Sequence, residues 1–447
     1  MMQLADLAEQ VLDAARMAGA DAADTLIARG TSVSIEVRKG ALEHAERSEG
    51  IDLGLRVLMG QRQACVSISN DSKNSIVTMA ERAVAMALEA PEDSSCGLAD
   101  ADQLAADWDV DALELFDGGD APAAKDLQCW AVEAESAALA VDGVTQTQSA
   151  GSGFNDTSLF LAGSNGFRGG YRRGSYSTSC VAISGEGLAM ERDYCGEARS
   201  HLIDLPNGTS IGQSAGERAV ARGGATRPPT GSFPVLFDER IATSLVSHLV
   251  GAINGSSIVR GVSFLKDALG EQILPSGLSL IENPHRPRVA GSRPFDGEGL
   301  PVAERFIVKD GVLQSWTLDL ATARKLGMQS TGNASRGVSN PPSPSTGNLA
   351  LTQGKYSYDD LIAQMGTGLI VTSMIGSTIN PSTGDYSRGA SGFWVNNGEI
   401  TGPVNECTVA GNLRNMLMNI IPANDARGHL SRVVPSLLVE GLTIAGS

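Results

Sequence analysis

A serine flanked by glycines is the first candidate for catalysis. Residues 212–216 match G-x-S-x-G, the pattern in which a strand-to-helix turn exposes a nucleophilic serine, here Ser214. The preceding stretch 205–208 contains Pro and Gly rather than a buried strand, and apolar residues recur every four positions through 211–219. The pattern therefore predicts a helix surface over 211–222, and catalysis by Ser214 is the less favoured alternative.

Histidines are the next candidates, because a neutral imidazole serves as a base or as a metal ligand. No two of them lie at chelating spacing, and H-E-x-x-H does not occur. The apolar side of a predicted helix carries His248, which favours a hydrogen-bonded core or interface residue. Prolines flank His285, which predicts an exposed loop. No metal ligand is expected among the five histidines: His44, His201, His248, His285 and His429.

Acidic clusters and thiols give no stronger signal. Asp296 and Glu298, with the more distant Asp310, could bind a divalent cation, but solvated turns are the favoured interpretation. No P-loop and no strand-linked G-x-G-x-x-G supports nucleotide binding. The cysteines contain no C-x-x-C pair, which argues against a thiolate zinc site or a disulfide framework. We expect reduced thiols at all six: Cys65, Cys96, Cys129, Cys180, Cys195 and Cys407.

Composition limits the possible partners. The chain has 447 residues, 42% of them apolar, and a formal net charge of −17, which disfavours nucleic acids and anionic lipid surfaces. Asp6 and Glu9 stand where a signal peptide would carry basic residues, and no segment approaches the roughly 18 apolar residues of a membrane span. The sequence therefore predicts a cytoplasmic protein without a membrane segment.

The first half of the chain predicts helix-plus-antiparallel-sheet units. Apolar periodicity indicates a helix over 3–18, a meander of strands over 24–69 and a helix over 72–89. An acidic stretch, 93–121, is expected to be a solvated linker or long loop. A third helix from Leu127, short strands up to about 199 and the helix at 211–222 follow. These patterns predict two units, 1–95 and 96–225.

The second half predicts one β-rich domain, 226–447. The stretch 232–237 is typical of a buried strand, and Asp238 is placed to cap a helix that runs through about 254. The sequences at 309–311 and 396–398 are hairpin signals, whereas the prolines of 340–344 predict an irregular loop. The fold class expected for the whole chain is α+β.

With these elements placed, the chain resembles the TldD/PmbA family, formerly the modulator-of-gyrase family, and within it the PmbA (TldE) branch. The resemblance extends over nearly the whole chain and is most specific from 232 onward. It implies that family's fold. The segments that carry it are 232–273, Asp296-Gly297-Glu298-Gly299, 319–336, 367–413 and 435–446.

The resemblance also implies where a zinc site would lie. In this family the TldD partner carries H-E-x-x-x-H on a helix and a cysteine near its C-terminus, which together suit zinc and a hydrolytic water. In this chain the two histidine positions are Val246 and Gly251, and the glutamate position is Ser247. No cysteine follows Cys407, and His429 has no established equivalent. The expectation is therefore no catalytic, cofactor-binding or metal-binding residue in this chain.

The function implied is that of a non-catalytic subunit, inactive alone, of a TldD/TldE-type zinc metallopeptidase complex. Its heterodimeric partner would be a TldD-like subunit holding the zinc, and its substrates unfolded peptides such as bacteriocin precursors and antitoxins. No nucleic acid and no membrane are expected as partners. The alternative is a self-standing peptide-binding or adaptor homodimer without hydrolytic activity.

Overall fold

A computed structural model describes residues 1–446, apart from the side chain of Ser377. The first half contains four helices and six strands. They are α1 (Met2–Met17), β1 (Ala22–Arg38), β2 (Ala41–Met59), β3 (Arg62–Ile68), α2 (Lys73–Glu89), α3 (Ala124–Leu139), β4 (Val144–Gly163), β5 (Arg168–Ser184), β6 (Glu191–Arg199) and α4 (Gly208–Ala221).

These six strands form one antiparallel sheet in the order β3-β2-β1-β4-β5-β6. Ile27 of β1 packs in the core that contains α1 and α2, and Val33 of the same strand packs against α3 and α4. Positions 27 and 33 lie on the same side of a strand, because side chains alternate along it. The four helices therefore cover one face of the sheet and leave the other to the C-terminal half.

The two units predicted for the first half share this sheet, since β1 of one pairs along 24–37 with β4 of the other. The boundary near 95 stays a prediction. The short strands expected up to 199 are wrong, because β4 and β5 contain 20 and 17 residues. Their glycines are strand residues; at Gly170 a Cβ would lie 2.5 Å from the Phe160 ring.

The acidic segment 90–123, which we call the strap, is a long loop as predicted, but it is packed rather than solvated. The Trp108 ring lies 5.8 Å from the Phe167 ring and 5.1 Å from the Phe295 ring. The Arg324 guanidinium donates to the carbonyl oxygens of Ser95 and Leu98. Apolar residues spaced between the aspartates anchor the strap between the two halves, which the net acidity of the segment concealed.

The second half contains shorter elements. They are β7 (Gly231–Phe237), α5 (Glu239–Ala252), α6 (Gly255–Val259), β8 (Leu280–Glu282), β9 (Arg305–Lys309), β10 (Val312–Leu313), α7 (Leu320–Leu326), β11 (Ala334–Ser335), β12 (Ser343–Pro344), β13 (Leu349–Leu351), α8 (Tyr358–Met365), β14 (Gly368–Ile379), β15 (Asp385–Asn396), β16 (Glu399–Asn412), α9 (Leu413–Met418), β17 (Ile420–Pro422), β18 (Arg432–Val433) and β19 (Leu437–Ala445).

A closed barrel is the core of this half. The order β16-β15-β14-β7-β19-β17 is joined by a further pairing of β16 with β19, so five strands form a ring. A mixed sheet, β10-β9-β8-β13-β18, lies beside it. Both predicted hairpins are confirmed, with Asp310 and Asn397 at φ 49° and 52° in their turns. The predicted irregular loop at 340–344 contains β12, which pairs with β11.

Within residues 1–446, no helix combines the length and the apolar character needed to cross a lipid bilayer.

Candidate functional site

The helix α5 is the place where the family resemblance puts the metal site. It follows β7 directly, and the Asp238 carboxylate caps it by accepting a hydrogen bond from the Arg240 backbone N–H at 3.1 Å. The predicted N-cap is confirmed. Its apolar side packs into the same core as the barrel strands, so the backbone positions of the helix are rigidly held.

The two histidine positions and the glutamate position that the resemblance implies lie on α5, but they offer neither a metal ligand nor a base. Val246 is buried at 2% exposure. The half-buried Ser247 hydroxyl donates to the Thr243 carbonyl oxygen at 2.8 Å and accepts a hydrogen bond from Arg432. Gly251 is exposed, with no atom within 4 Å of where a Cβ would lie. An alkyl group, a hydroxyl already in use and a hydrogen atom do not fit a zinc ion.

The two histidine positions also differ in their surroundings. Val246 points into the core, while Gly251 faces outward. Among the residues that the structure describes, no group of three His, Cys, Asp or Glu side chains is placed to hold a metal ion. That this chain has no catalytic, cofactor-binding or metal-binding residue stays a prediction.

Ion pairs fill the space next to α5. The Arg427 guanidinium binds Glu197 and Glu239, each at 3.0 Å, and His429 Nε2 lies 3.4 Å from Glu197. Burial alone would raise the pKa of Glu197, but the hydrogen bond and charge of Arg199, with the charge of Arg427, outweigh it and lower that pKa. We call these residues the Glu197 network. Its charges are compensated internally, as in a structural ion-pair cluster.

The other histidines follow the sequence predictions in part. His44 and His285 are exposed, as expected for the latter. His248 is half-buried, with its ring 6.0 Å from the Tyr386 ring. Burial, and secondly the charge of Arg388, lower the pKa of His248 and keep its ring neutral. Its buried Nε2 has no hydrogen-bond partner among the described residues, so the expected hydrogen-bonded side chain is not found at that atom.

The glycines around Ser214 serve helix packing. They lie on α4 against α3, and a Cβ at Gly212 would be 1.9 Å from the Ala134 carbonyl oxygen. Ser214 is half-buried on this helix rather than at a strand-to-helix turn. The helix prediction is confirmed, and no nucleophile elbow is formed.

The acidic pair Asp296 and Glu298 departs from expectation. Both side chains are buried, whereas turn solvation was predicted. Burial raises the pKa of Asp296 to about 6 and, with the charge of Asp296, the pKa of Glu298 to about 8. Backbone N–H groups donate to both Asp296 oxygens. The turn that the flanking glycines indicated is therefore buried rather than solvated. Asp310 lies apart, exposed in its hairpin.

Four arginines line a cavity that the sequence did not indicate. It has a volume of about 360 Å³ and lies between the free face of the first sheet and loops of the C-terminal half. We call it the arginine cavity. Its apolar lining includes Leu26, Leu161, Tyr171 and Phe295, and its charged lining includes Asp296 and the four arginines Arg173, Arg293, Arg336 and Arg432.

Comparison with known proteins places the whole chain in one group. Residues 23–87 match the PmbA/TldA metallopeptidase domain 1, residues 107–222 match the central domain and residues 230–446 match the C-terminal domain. A protein named metalloprotease PmbA homolog, from Haemophilus influenzae, is 37% identical over 442 residues, covering 98% of this chain and 94% of its own.

Solved structures agree with the fold. A crystallised candidate modulator of DNA gyrase from Bacteroides thetaiotaomicron is 28% identical, with a TM-score of 0.91 over 99% of this chain and 98% of its own. TldE from Thermococcus kodakarensis, at 19% identity, shares the fold with a TM-score of 0.85, covering 98% of this chain and all of its own. On these matches, the chain belongs to the PmbA/TldD family, in its PmbA/TldE branch.

Proposed function

We propose that this chain is the metal-free subunit of a TldD/TldE-type zinc metallopeptidase complex that cuts unfolded peptides. The observation that carries the proposal is the chemistry of α5, where Val246, Ser247 and Gly251 occupy the ligand and base positions. The name metalloprotease, borne by its relative, then describes the assembly rather than this chain. Zinc in a TldD-like partner would supply the Lewis acid and the activated water.

The contribution of this chain is to bind and enclose. Residues 41–50 of β2 are exposed on both faces, and β3 pairs only with the later part of that strand, from Leu53 to Met59. Within the described part of the chain, no strand pairs with the outer edge of 41–50. A free edge is a template for another strand, from a partner or an extended peptide. Unfolded substrates suit such an edge, since their backbone groups are unpaired.

We place the complex in the cytoplasm. All six cysteines are free thiols in the structure, and three of them, Cys65, Cys96 and Cys129, are at least partly exposed. Free, partly exposed thiols persist in a reducing compartment. The substrates proposed, by family resemblance, are flexible peptides such as bacteriocin precursors and antitoxins.

Reconstitution tests the proposal. The purified chain and a TldD-like subunit with intact H-E-x-x-x-H, from the same organism, are assayed separately and together on an unstructured peptide. We expect hydrolysis by the mixture, its loss on chelation, and zinc in the TldD-like subunit alone. Stoichiometric zinc and peptide cleavage by this chain without a partner would contradict the proposal.

The free β2 edge also allows the second candidate, an adaptor homodimer, because two copies of such an edge could pair with each other. Light scattering of the same mixture separates the two candidates. A heteromeric mass supports the peptidase complex, whereas a homodimer that persists beside a separate TldD-like subunit supports the adaptor. Leu42→Glu adds charge at this edge, where Leu42 is 50% exposed, and should weaken whichever association uses it.

A further inference from the structure

The arginine cavity concentrates positive charge in a chain whose net charge is −17. Arg173, Arg293, Arg336 and Arg432 come from four separate segments and line the same cavity. Buried guanidinium groups are ordinarily matched by carboxylates or backbone oxygens. In this cavity, three of the four arginines have side-chain nitrogens without a hydrogen-bond partner among the described residues.

Arg336 is the most deeply buried of the four, with 1% of its side chain exposed. Its Nη1 donates to the Asp24 carboxylate, which also binds Arg56. One carboxylate therefore serves two guanidinium groups. Nε and Nη2 of Arg336 are buried and have no hydrogen-bond partner among the residues that the structure describes.

Arg173 and Arg293 are also incompletely matched. Arg173 Nη2 donates to the Ser292 carbonyl oxygen at 2.6 Å, and no described carboxylate lies within 4 Å of this arginine. Arg293 Nη2 lies 3.8 Å from Glu282, a carboxylate that Arg305 binds more closely, at 2.9 Å. The Nε atoms of both arginines are buried without a partner in the described part of the chain.

The carboxylate on the cavity wall does not supply the missing acceptors. Oδ1 of Asp296 accepts from the backbone N–H groups of Glu298 and Leu300, each at 2.9 Å. Its Oδ2 accepts from the backbone N–H of Ala334 at 3.0 Å. With both oxygens engaged by the backbone, Asp296 accepts no hydrogen bond from these arginines.

We propose that the arginine cavity binds an oxyanion, the terminal carboxylate of a peptide, through Arg173, Arg293 and Arg336. Guanidinium groups match carboxylate geometry, and their charge-assisted hydrogen bonds are the strong ones. The apolar part of the lining, with Leu161 and Tyr171, would contact the last side chain of the peptide. A volume of about 360 Å³ is at the small end of ligand pockets, which suits one chain end. The oxyanion site rests on the cavity alone, whereas a peptide as its source rests on the proposed function.

Calorimetric titration of the full chain, without any partner, tests the carboxylate. The probes are N-acetyl-Ala-Ala-Leu with a free C-terminus, the same peptide with a C-terminal amide, and inorganic phosphate. We expect the free acid to bind at one site and at least tenfold more tightly than the amide. Equal binding of the two peptides, or phosphate binding more tightly than the acid, would overturn the assignment.

Variants test the donors. Arg173→Gln and Arg293→Gln should each weaken binding of the free acid at least tenfold, with thermal unfolding showing that both remain folded. Arg172→Gln is the matched control, because Arg172 neighbours Arg173 on β5 but pairs with Asp156 and lies over the Phe116 ring. Unchanged affinity in both cavity variants, or an equal loss in the control, would refute the site.

The titration and the reconstitution fail independently. A chain that binds the free acid but never assembles with a TldD-like subunit loses the proposed function and keeps this site. A chain that assembles into an active peptidase but binds the acid and the amide equally keeps the function and loses the site.

Discussion

The α5 region and the arginine cavity are neighbours that differ in how their charges are paired. Beside α5 the charges of the Glu197 network are paired within the chain, and the Ser247 hydroxyl is engaged, although Ser244 Oγ and His248 Nε2 have no partner among the described residues. In the cavity the guanidinium donors outnumber their acceptors. Arg432 connects the two, since it binds Ser247 and lines the cavity.

The difference shows that the position of a family's active site and the position of a binding site need not coincide in one chain. Buried charge is costly unless it is paired, so a matched network indicates structure and an unmatched one indicates a missing ligand. In the Glu197 network the chain itself provides the partners. In the cavity, a bound oxyanion would provide them.

The largest effect on stability is expected from removing the carboxylate of Asp24, which binds both Arg56 and the cavity residue Arg336. Asp24→Ala leaves Arg56 and Arg336 buried without a counter-charge, which should cost about 3–5 kcal/mol of unfolding free energy. Urea denaturation measures this loss. Asp13→Ala is the control, because the Asp13–Arg16 pair is more than half exposed and its loss should be undetectable. A small effect at Asp24 would mean that solvent already compensates the arginines.

The buried acids beside the cavity predict a pH dependence. Glu298 has a pKa of about 8 in the fold against an ordinary value of 4.5, so the folded state holds a proton that the unfolded chain releases. Stability should therefore fall as pH rises from about 4.5 to 8, by on the order of 5 kcal/mol from this group. Denaturation at several pH values measures the slope.

Glu298→Gln provides the comparison for that slope. The amide keeps an oxygen to accept the Leu320 backbone N–H, which Glu298 now binds at 2.9 Å, and it carries no proton to lose. The variant should have a flatter profile and be more stable than the wild type at pH 8. Identical profiles would show that Glu298 is ionised in the fold. The region beside the cavity would then contain one more negative charge to balance its arginines.

Histidines placed at positions 246 and 251 test whether α5 can be made to bind zinc. Val246→His forces a larger polar ring into a well-packed core and should cost about 1–3 kcal/mol. Gly251→His is the control, since that position has open space and a helical glycine is itself unfavourable. Urea denaturation of each variant, with and without added zinc, measures both effects.

Zinc should not stabilise the chain that carries both histidines, because Val246 points into the core while Gly251 faces outward. A zinc-dependent rise in unfolding free energy would show that α5 is a latent metal site. The α5 region, like the cavity, would then depend on a ligand from outside the chain.

Local patterns in the sequence predicted the helices α1 to α5 and both hairpins, since each depends on residues close together in the chain, whereas the shorter helices α6 to α9 were not predicted. The helix α5 began at its predicted cap, Asp238, and the turns at 309–311 and 396–398 formed where expected. Apolar periodicity likewise predicted the helix on which Ser214 lies. These features need no knowledge of which strands pair.

Features that depend on distant pairing were missed. The lengths of β4 and β5, and the packing of the strap, follow from partners elsewhere in the chain. Cys180 and Cys195, which looked scattered, are opposite one another on β5 and β6. The arginine cavity belongs to this class, because Arg173 and Arg336 meet only when the C-terminal loops close over the first sheet. No spacing rule brings such residues together.

The smallest effect is expected at the residue with the best catalytic motif. Ser214→Ala removes a half-buried hydroxyl from α4 and should change unfolding free energy by less than about 0.5 kcal/mol, with peptide hydrolysis by the reconstituted complex unchanged. Gly212→Ala in the same motif should be strongly destabilising, because its Cβ would overlap the Ala134 carbonyl oxygen. If Ser214→Ala abolished hydrolysis, the G-x-S-x-G motif would be a better guide to a functional site than the unmatched arginines. Packing of α4 against α3 instead requires that the glycine substitution be the more damaging of the two.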